Sequence, residues 1–173
     1  MQTDKDIRSL VYDYALEGFR GGLNCAECVM DALIRSGAID VPPETRALCV
    51  GFGGGIGLSG FTCGALSSAV MANGAVHGRP DPWSVDAEVR GHEIADKYYR
   101  RYNKLVHDFI EQNGSVLCHE ICSAKGEWPS KERRKACMNI TANTAVLAYD
   151  IMQISQEEAF KLPYGNNMAG IKG

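Results

Sequence analysis

The 173-residue sequence has no long apolar run, no stretch of alternating polar and apolar residues, and no large excess of one charge. Nothing in it approaches the ~18–20 consecutive apolar residues of a bilayer-spanning helix, so no membrane role is expected. A net charge of −3 offers no electrostatic reason to bind nucleic acid or an anionic membrane surface. The opening MQTDKDIRSL mixes acids with bases and lacks the apolar core of a secretory signal, which makes a cytoplasmic protein the expectation. There is no internal repeat, low-complexity tract or linker, so one domain over residues 1–173 is expected.

Cysteine and glycine are what the sequence does contain, seven of the first and nineteen of the second. Disulfide frameworks belong mostly to oxidising compartments and to chains too short for a core. This chain fits neither description, and seven is odd. Metal ligation or thiol redox chemistry is therefore the preferred use of the cysteines. Cys49, and with it Cys28 and Cys122, are candidates for the other common role of free cysteine, a small buried hydrophobe.

Helical periodicity runs through most of the chain. Thr3 is the expected N-cap of a helix to Arg20, with Ile7, Leu10, Val11, Tyr14, Ala15 and Phe19 on its apolar face. Asn24 caps a second helix that ends near Gly37, and Pro43 opens a short one over 44–50. Thr62 is expected to cap a smooth, small-residue helix to about Gly78. The longest pattern covers Ser84–Gln112, Ser115 starts a short helix, and Ser130 caps a final one over Lys131–Gln153. Residues 162–173 lack periodicity and are expected to be loose or to dock on a partner. The predicted fold is all-α, a single-domain bundle of four or five main helices with a glycine-rich loop and a core over about 3–153.

That loop, Gly51–Gly57, has glycine at five of seven positions and leads to Cys63. Gly55, Gly57 and Gly60 match the dinucleotide fingerprint literally, but no strand precedes them and no βαβ unit surrounds them, so nucleotide binding is not expected. A loop of this kind can instead aim backbone N–H groups at a negatively charged centre. Cys63, just after the expected cap, would sit in a first helical turn, where the helix N-terminus lowers a thiol pKa. Cys25 and Cys28 are spaced C-x-x-C on one helix face, which suits half a zinc site or a redox pair. Cys118 and Cys122 share another face at i and i+4, while His119 points elsewhere and reads as a surface residue. Cys137 follows Lys131, Arg133, Arg134 and Lys135, which can offset negative charge. Lys97–Lys104 interleaves aromatic and basic residues as single-strand binders do, but Tyr98 and Tyr102 share one face, which favours packing. The smooth helix and the aromatic stripe together suggest a homodimer.

Cys25 in Asn24-Cys25-Ala26, the glycine loop, Cys63-Gly64-Ala65, Cys118 and Cys137 together resemble the redox-active family named for its pattern C_GCAxxG_C_C. The resemblance extends from about Leu10 to Ile151 and implies a small helical domain whose four cysteines correspond to Cys25, Cys63, Cys118 and Cys137. Two departures stand out: the order here is Cys63-Gly64-Ala65, and Ser68 occupies the place of the final glycine. Cys28, Cys49 and Cys122 are additional to the family's four. A related domain occurs in split-Soret cytochromes, but this chain has no C-x-x-C-H, so covalent haem is not expected.

On that resemblance the leading expectation is an iron–sulfur redox protein that transfers electrons to an unknown redox partner. Cys25, Cys63, Cys118 and Cys137 would ligate a [4Fe–4S] or [2Fe–2S] cluster. Backbone around Gly53, Gly54, Gly55, Gly57 and Gly64 would bind the cofactor. The alternatives are a thiol–disulfide enzyme with Cys63 as nucleophile, and a zinc domain on the same four thiolates. Zinc modules usually supply their ligands in two close pairs, whereas these four are dispersed.

Overall fold

Residues 4–172 are described by the computed structural model, with only the backbone of Asp4 and Lys5. The helices in order are α1 (Asp4–Arg20), α2 (Cys25–Arg35), α3 (Gly64–His77), α4 (Ala87–Glu93), α5 (Tyr99–Asn113), α6 (Cys118–Ser123), α7 (Lys131–Met152) and α8 (Gln156–Ala159). A 3-10 segment, Pro43–Phe52, lies between α2 and α3, and a π turn, Ile94–Tyr98, joins α4 to α5. Among the described residues there is no sheet, only an isolated antiparallel bridge between Thr62 and Leu117. The fold is all-α.

Helices α1, α2, α3 and α7 form the central bundle, and α5 packs against α7 and α3. Small residues at the contacts allow this closeness: Ala26 and Ala32 of α2, Ala65, Ala69 and Ala72 of α3, and Ala142, Ala145 and Ala148 of α7 are fully buried. Val11, Val29, Met30, Leu33, Leu66 and Phe109 fill the space between them. Asn73 crosses from α3 to α7, donating through Nδ2 to the Ala148 carbonyl at 3.2 Å. Ser68 is fully buried, and its hydroxyl lies 3.7 Å from the Cys49 sulfur. The departure from glycine at that position is thus filled by a polar contact.

Asn24 begins α2 as expected. Its side chain accepts from the Ala26 and Glu27 N–H groups while Glu27 accepts from the Asn24 N–H, a reciprocal capping box. Its amide also donates to the Val50 carbonyl, which ties the start of α2 to the end of the 3-10 segment. The expected cap of α1, Thr3, lies outside the described residues.

One expected helix is divided. The long pattern over 84–112 is not one helix. Asp81 accepts from the Trp83 N–H in a proline-flanked turn, Val85 is extended, and α4 starts only at Ala87. The π turn then shifts the register before α5. This leaves Val89 half-exposed and buries Leu105 and Phe109. The aromatic stripe is used within the chain, with Tyr98 edge-on to Phe160 at 5.1 Å. Arg101 between the two tyrosines is buried and donates to the Ile151 and Ile154 carbonyls at the end of α7, where a cation is favourable.

The C-terminal stretch, in turn, is docked on its own chain. Arg100 donates to the Leu162 carbonyl, the Gly165 N–H donates to Asn103, His107 meets the Asn166 carbonyl, and Tyr164 bonds the Ala95 carbonyl. Backbone groups met by side chains of α5 require no periodicity, so sequence pattern could not reveal them. Replacing Asn24 with alanine removes both the capping box and the link to Val50. The expected outcome is a loss of about 1–2 kcal/mol, read as a lower thermal midpoint by circular dichroism.

Candidate functional site

The site is assembled by backbone pairing between two loops. The Cys63 N–H donates to the Val116 carbonyl at 2.8 Å, the Cys118 N–H to Phe61 at 2.6 Å and the His119 N–H to Gly60 at 3.0 Å. His119 also meets the Gly60 carbonyl through Nδ1 at 2.8 Å, a surface role. Residues that are distant in sequence thereby start from adjacent backbone, so Cys63 and Cys118 face one space.

The glycine loop supplies the wall opposite. From Gly54 to Leu58 all five residues have positive φ, between 57° and 71°, a short left-handed turn. Ile56 and Leu58 in that region cost about 1–2 kcal/mol each. They are held there by the Gly57 N–H bond to Gly51, the Leu58 bond to Gly53 and the Phe61 bond to Gly55. A Cβ on Gly55 would meet the Phe61 nitrogen at 2.6 Å and the Cys118 Cβ at 2.7 Å. One on Gly64 would meet the Phe52 carbonyl oxygen at 2.5 Å and the Cys25 sulfur at 2.7 Å. These two glycines permit close approach behind the site, whereas Gly53, Gly54 and Gly57 line it.

The enclosed space is an open cavity of about 500 Å³. Cys25, Cys63, Cys118, Cys122 and Cys137 all line it, with Leu23, Val50, Leu58, Trp128, Arg133 and Arg134 among the other walls. The Cys122 sulfur is 3.8 Å from that of Cys118 and 3.7 Å from that of Cys137. Arg133, stacked over Trp128 at 4.2 Å, places Nη1 3.6 Å from the Cys137 sulfur. Among the described residues no group of three or more His, Cys, Asp or Glu side chains is already arranged to hold a single metal ion.

The C-x-x-C pair is split. Cys25 faces the cavity, whereas Cys28 is fully buried beside the Leu23 carbonyl at 3.6 Å. Cys49 is buried against Ser68, as expected of a small hydrophobe. Cys122 is buried too, but it also lines the cavity. Its i, i+4 spacing from Cys118 was the available signal, because it places both on one face of α6.

Two further expectations change at Cys63. It is itself the N-cap residue of α3, while Thr62 is engaged in the bridge to Leu117. Its thiol pKa is also not depressed. Burial, and then the neighbouring Cys25, push it up to about 12, against the opposing N–H groups of Ala65 and Leu66. Removal from water outweighs the helix N-terminus here. Burial likewise raises Cys25, partly offset by the N–H groups of Gly54, Ala26 and Ala65. Burial and Cys122 raise Cys118, and also Cys137 to about 11 despite Arg133. These thiols are therefore neutral in metal-free protein near pH 7. A bound cationic centre reverses that balance by supplying the missing opposite charge.

The family described as "Putative redox-active protein (C_GCAxxG_C_C)" matches residues 23–151, a span that includes every cavity cysteine. An uncharacterized protein of Archaeoglobus fulgidus is 27% identical over 122 residues, covering 69% of this chain and 78% of that one. No solved structure matches.

Two outcomes follow from this geometry. Gly55→Ala is expected to abolish stable folding of the loop, because its new Cβ meets backbone. Gly57→Ala, with open space at its Cβ, should cost only the left-handed penalty of about 1–2 kcal/mol in thermal melting. The second concerns Cys28, whose thiol burial pushes up to about 12 from an ordinary value of 9.0. The folded state thus holds that proton more tightly than the unfolded state. The resulting stability is fully present below about pH 9 and is lost as pH rises toward 12. Urea titrations of metal-free protein should show this alkaline loss, and Cys28→Ala should reduce it.

Proposed function

We propose that this chain, which belongs to the C_GCAxxG_C_C family of redox-active proteins, transfers electrons through an iron–sulfur cluster held by Cys25, Cys63, Cys118 and Cys137. The observation that carries this reading is that cysteines from four separate segments wall one cavity of about 500 Å³. That size falls within the usual range for bound ligands, about 300–1,000 Å³. The donor set is also suitable, since among the described residues the cavity is lined by thiols with neither a carboxylate nor an imidazole.

The surrounding groups favour thiolate in that setting. Backbone N–H groups of Gly54, Ala26 and Ala65 are directed at the Cys25 sulfur, and those of Ala65 and Leu66 at the Cys63 sulfur. Hydrogen bonds to ligand sulfurs raise a cluster's reduction potential by stabilising the added electron. Arg133 contributes in the same sense beside Cys137. Leu23, Val50, Leu58 and Trp128 provide apolar walls. When bound, the cluster supplies a one-electron donor and acceptor, and the chain's residues hold it and set its charge environment.

Protein purified without oxygen should be brown and contain iron and acid-labile sulfide. Cys63→Ala and Cys118→Ala should lose most of both, while Cys49→Ala, whose side chain lies outside the cavity, should keep them. Protein that remains colourless and iron-free after anaerobic reconstitution with iron and sulfide would sink the reading.

A further inference from the structure

Cys122 lines the cavity but is additional to the four cysteines of the family pattern. Its sulfur lies between those of Cys118 and Cys137, at 3.8 and 3.7 Å. We propose that Cys122 and Cys137 form a dithiol that closes to a disulfide by exchange with a small-molecule disulfide, giving the cavity a two-electron switch.

The choice of Cys137 over Cys118 follows from helix geometry. Cys118 and Cys122 are both on α6, where residues at i and i+4 hold their Cβ atoms about 5–6 Å apart. A disulfide needs Cβ atoms about 3.5–4.5 Å apart, so that pair would break the six-residue helix. Cys137 is on α7, a separate element reached through residues 124–130. Closing Cys122–Cys137 brings the sulfurs from 3.7 Å to about 2.05 Å, and the two residues are on separate helices, so no single helical turn has to break.

Exposure sets the order of events. Cys137 is partly exposed, whereas Cys122 is buried. The fraction of Cys137 that gives up its proton to solvent, beside the Arg133 guanidinium, attacks one sulfur of the external disulfide and expels the first thiolate, forming a mixed disulfide. The expelled thiolate takes up a proton from solvent in place of the one Cys137 lost. Cys122 then attacks the Cys137 sulfur, the mixed disulfide breaks, and the second external thiolate leaves with the Cys122 proton. Two cysteine thiols are oxidised and one external disulfide is reduced to two thiols. The closed form withdraws Cys137 from any role as a ligand, so disulfide and ligation are alternatives at one sulfur.

The test uses the full chain, reduced, freed of metal by a chelator and treated with oxidised glutathione, followed by non-reducing peptide mapping. The expected product has lost two hydrogens, carries a Cys122–Cys137 link and retains no glutathione. Cys122→Ser should keep glutathione on Cys137, while Cys118→Ser should close as the natural sequence does. Circular dichroism checks that Cys122→Ser is folded, and if it is not, the link found in the natural sequence decides alone. A link between any other pair, glutathione retained on unsubstituted protein, or no reaction at Cys137 would overturn the proposal. Iron does not enter the readout, so failure of the cluster reading leaves this test intact.

Discussion

Three main-chain hydrogen bonds, from Cys63, Cys118 and His119 to Val116, Phe61 and Gly60, are the constraint on which the site depends. They join the loop before α3 to the loop before α6. Without them the two cysteines would belong to unrelated parts of the chain. The left-handed turn over Gly54–Leu58 accommodates that pairing, because Gly55 lets the Phe61 backbone and the Cys118 side chain approach where any Cβ would collide. The strain at Ile56 and Leu58 is then sustained by the bonds around it.

Charge is the second theme. The bundle buries its thiols so well that desolvation outweighs every local influence favouring thiolate. Nearby N–H donors and Arg133 moderate that effect without reversing it. Without an opposing positive charge these thiols stay neutral, whereas a nucleophile activated at rest has a low pKa. The exposed edge near Arg133 and Trp128 is different in kind, since Cys137 is partly reachable there and a fifth sulfur stands next to it.

Much of this was legible in the chain. Periodicity and capping residues identified the all-α class, and Asn24 and Ser130 cap α2 and α7 where the pattern placed them. The glycine density at 51–57 marked a place where backbone must come close, and the cysteines marked a thiol site. The i, i+4 spacing of Cys118 and Cys122 indicated a shared face, but spacing alone cannot say what that face meets. Cys28 illustrates the reverse, since C-x-x-C spacing suggested a pair that the packing of α2 divides.

The sequence by itself determined the helical class, the caps at Asn24 and Ser130 and the residue types available for chemistry, because these depend on neighbours within a few positions. Only the tertiary structure decided which cysteines meet, that Cys122 is among them, that the tail binds α5, and that Cys63 is neutral rather than activated. Those outcomes depend on burial and on contacts between residues far apart in the chain. A thiol's distance from water, and from a sulfur on another helix, is a property of the packed bundle and is written in no local pattern.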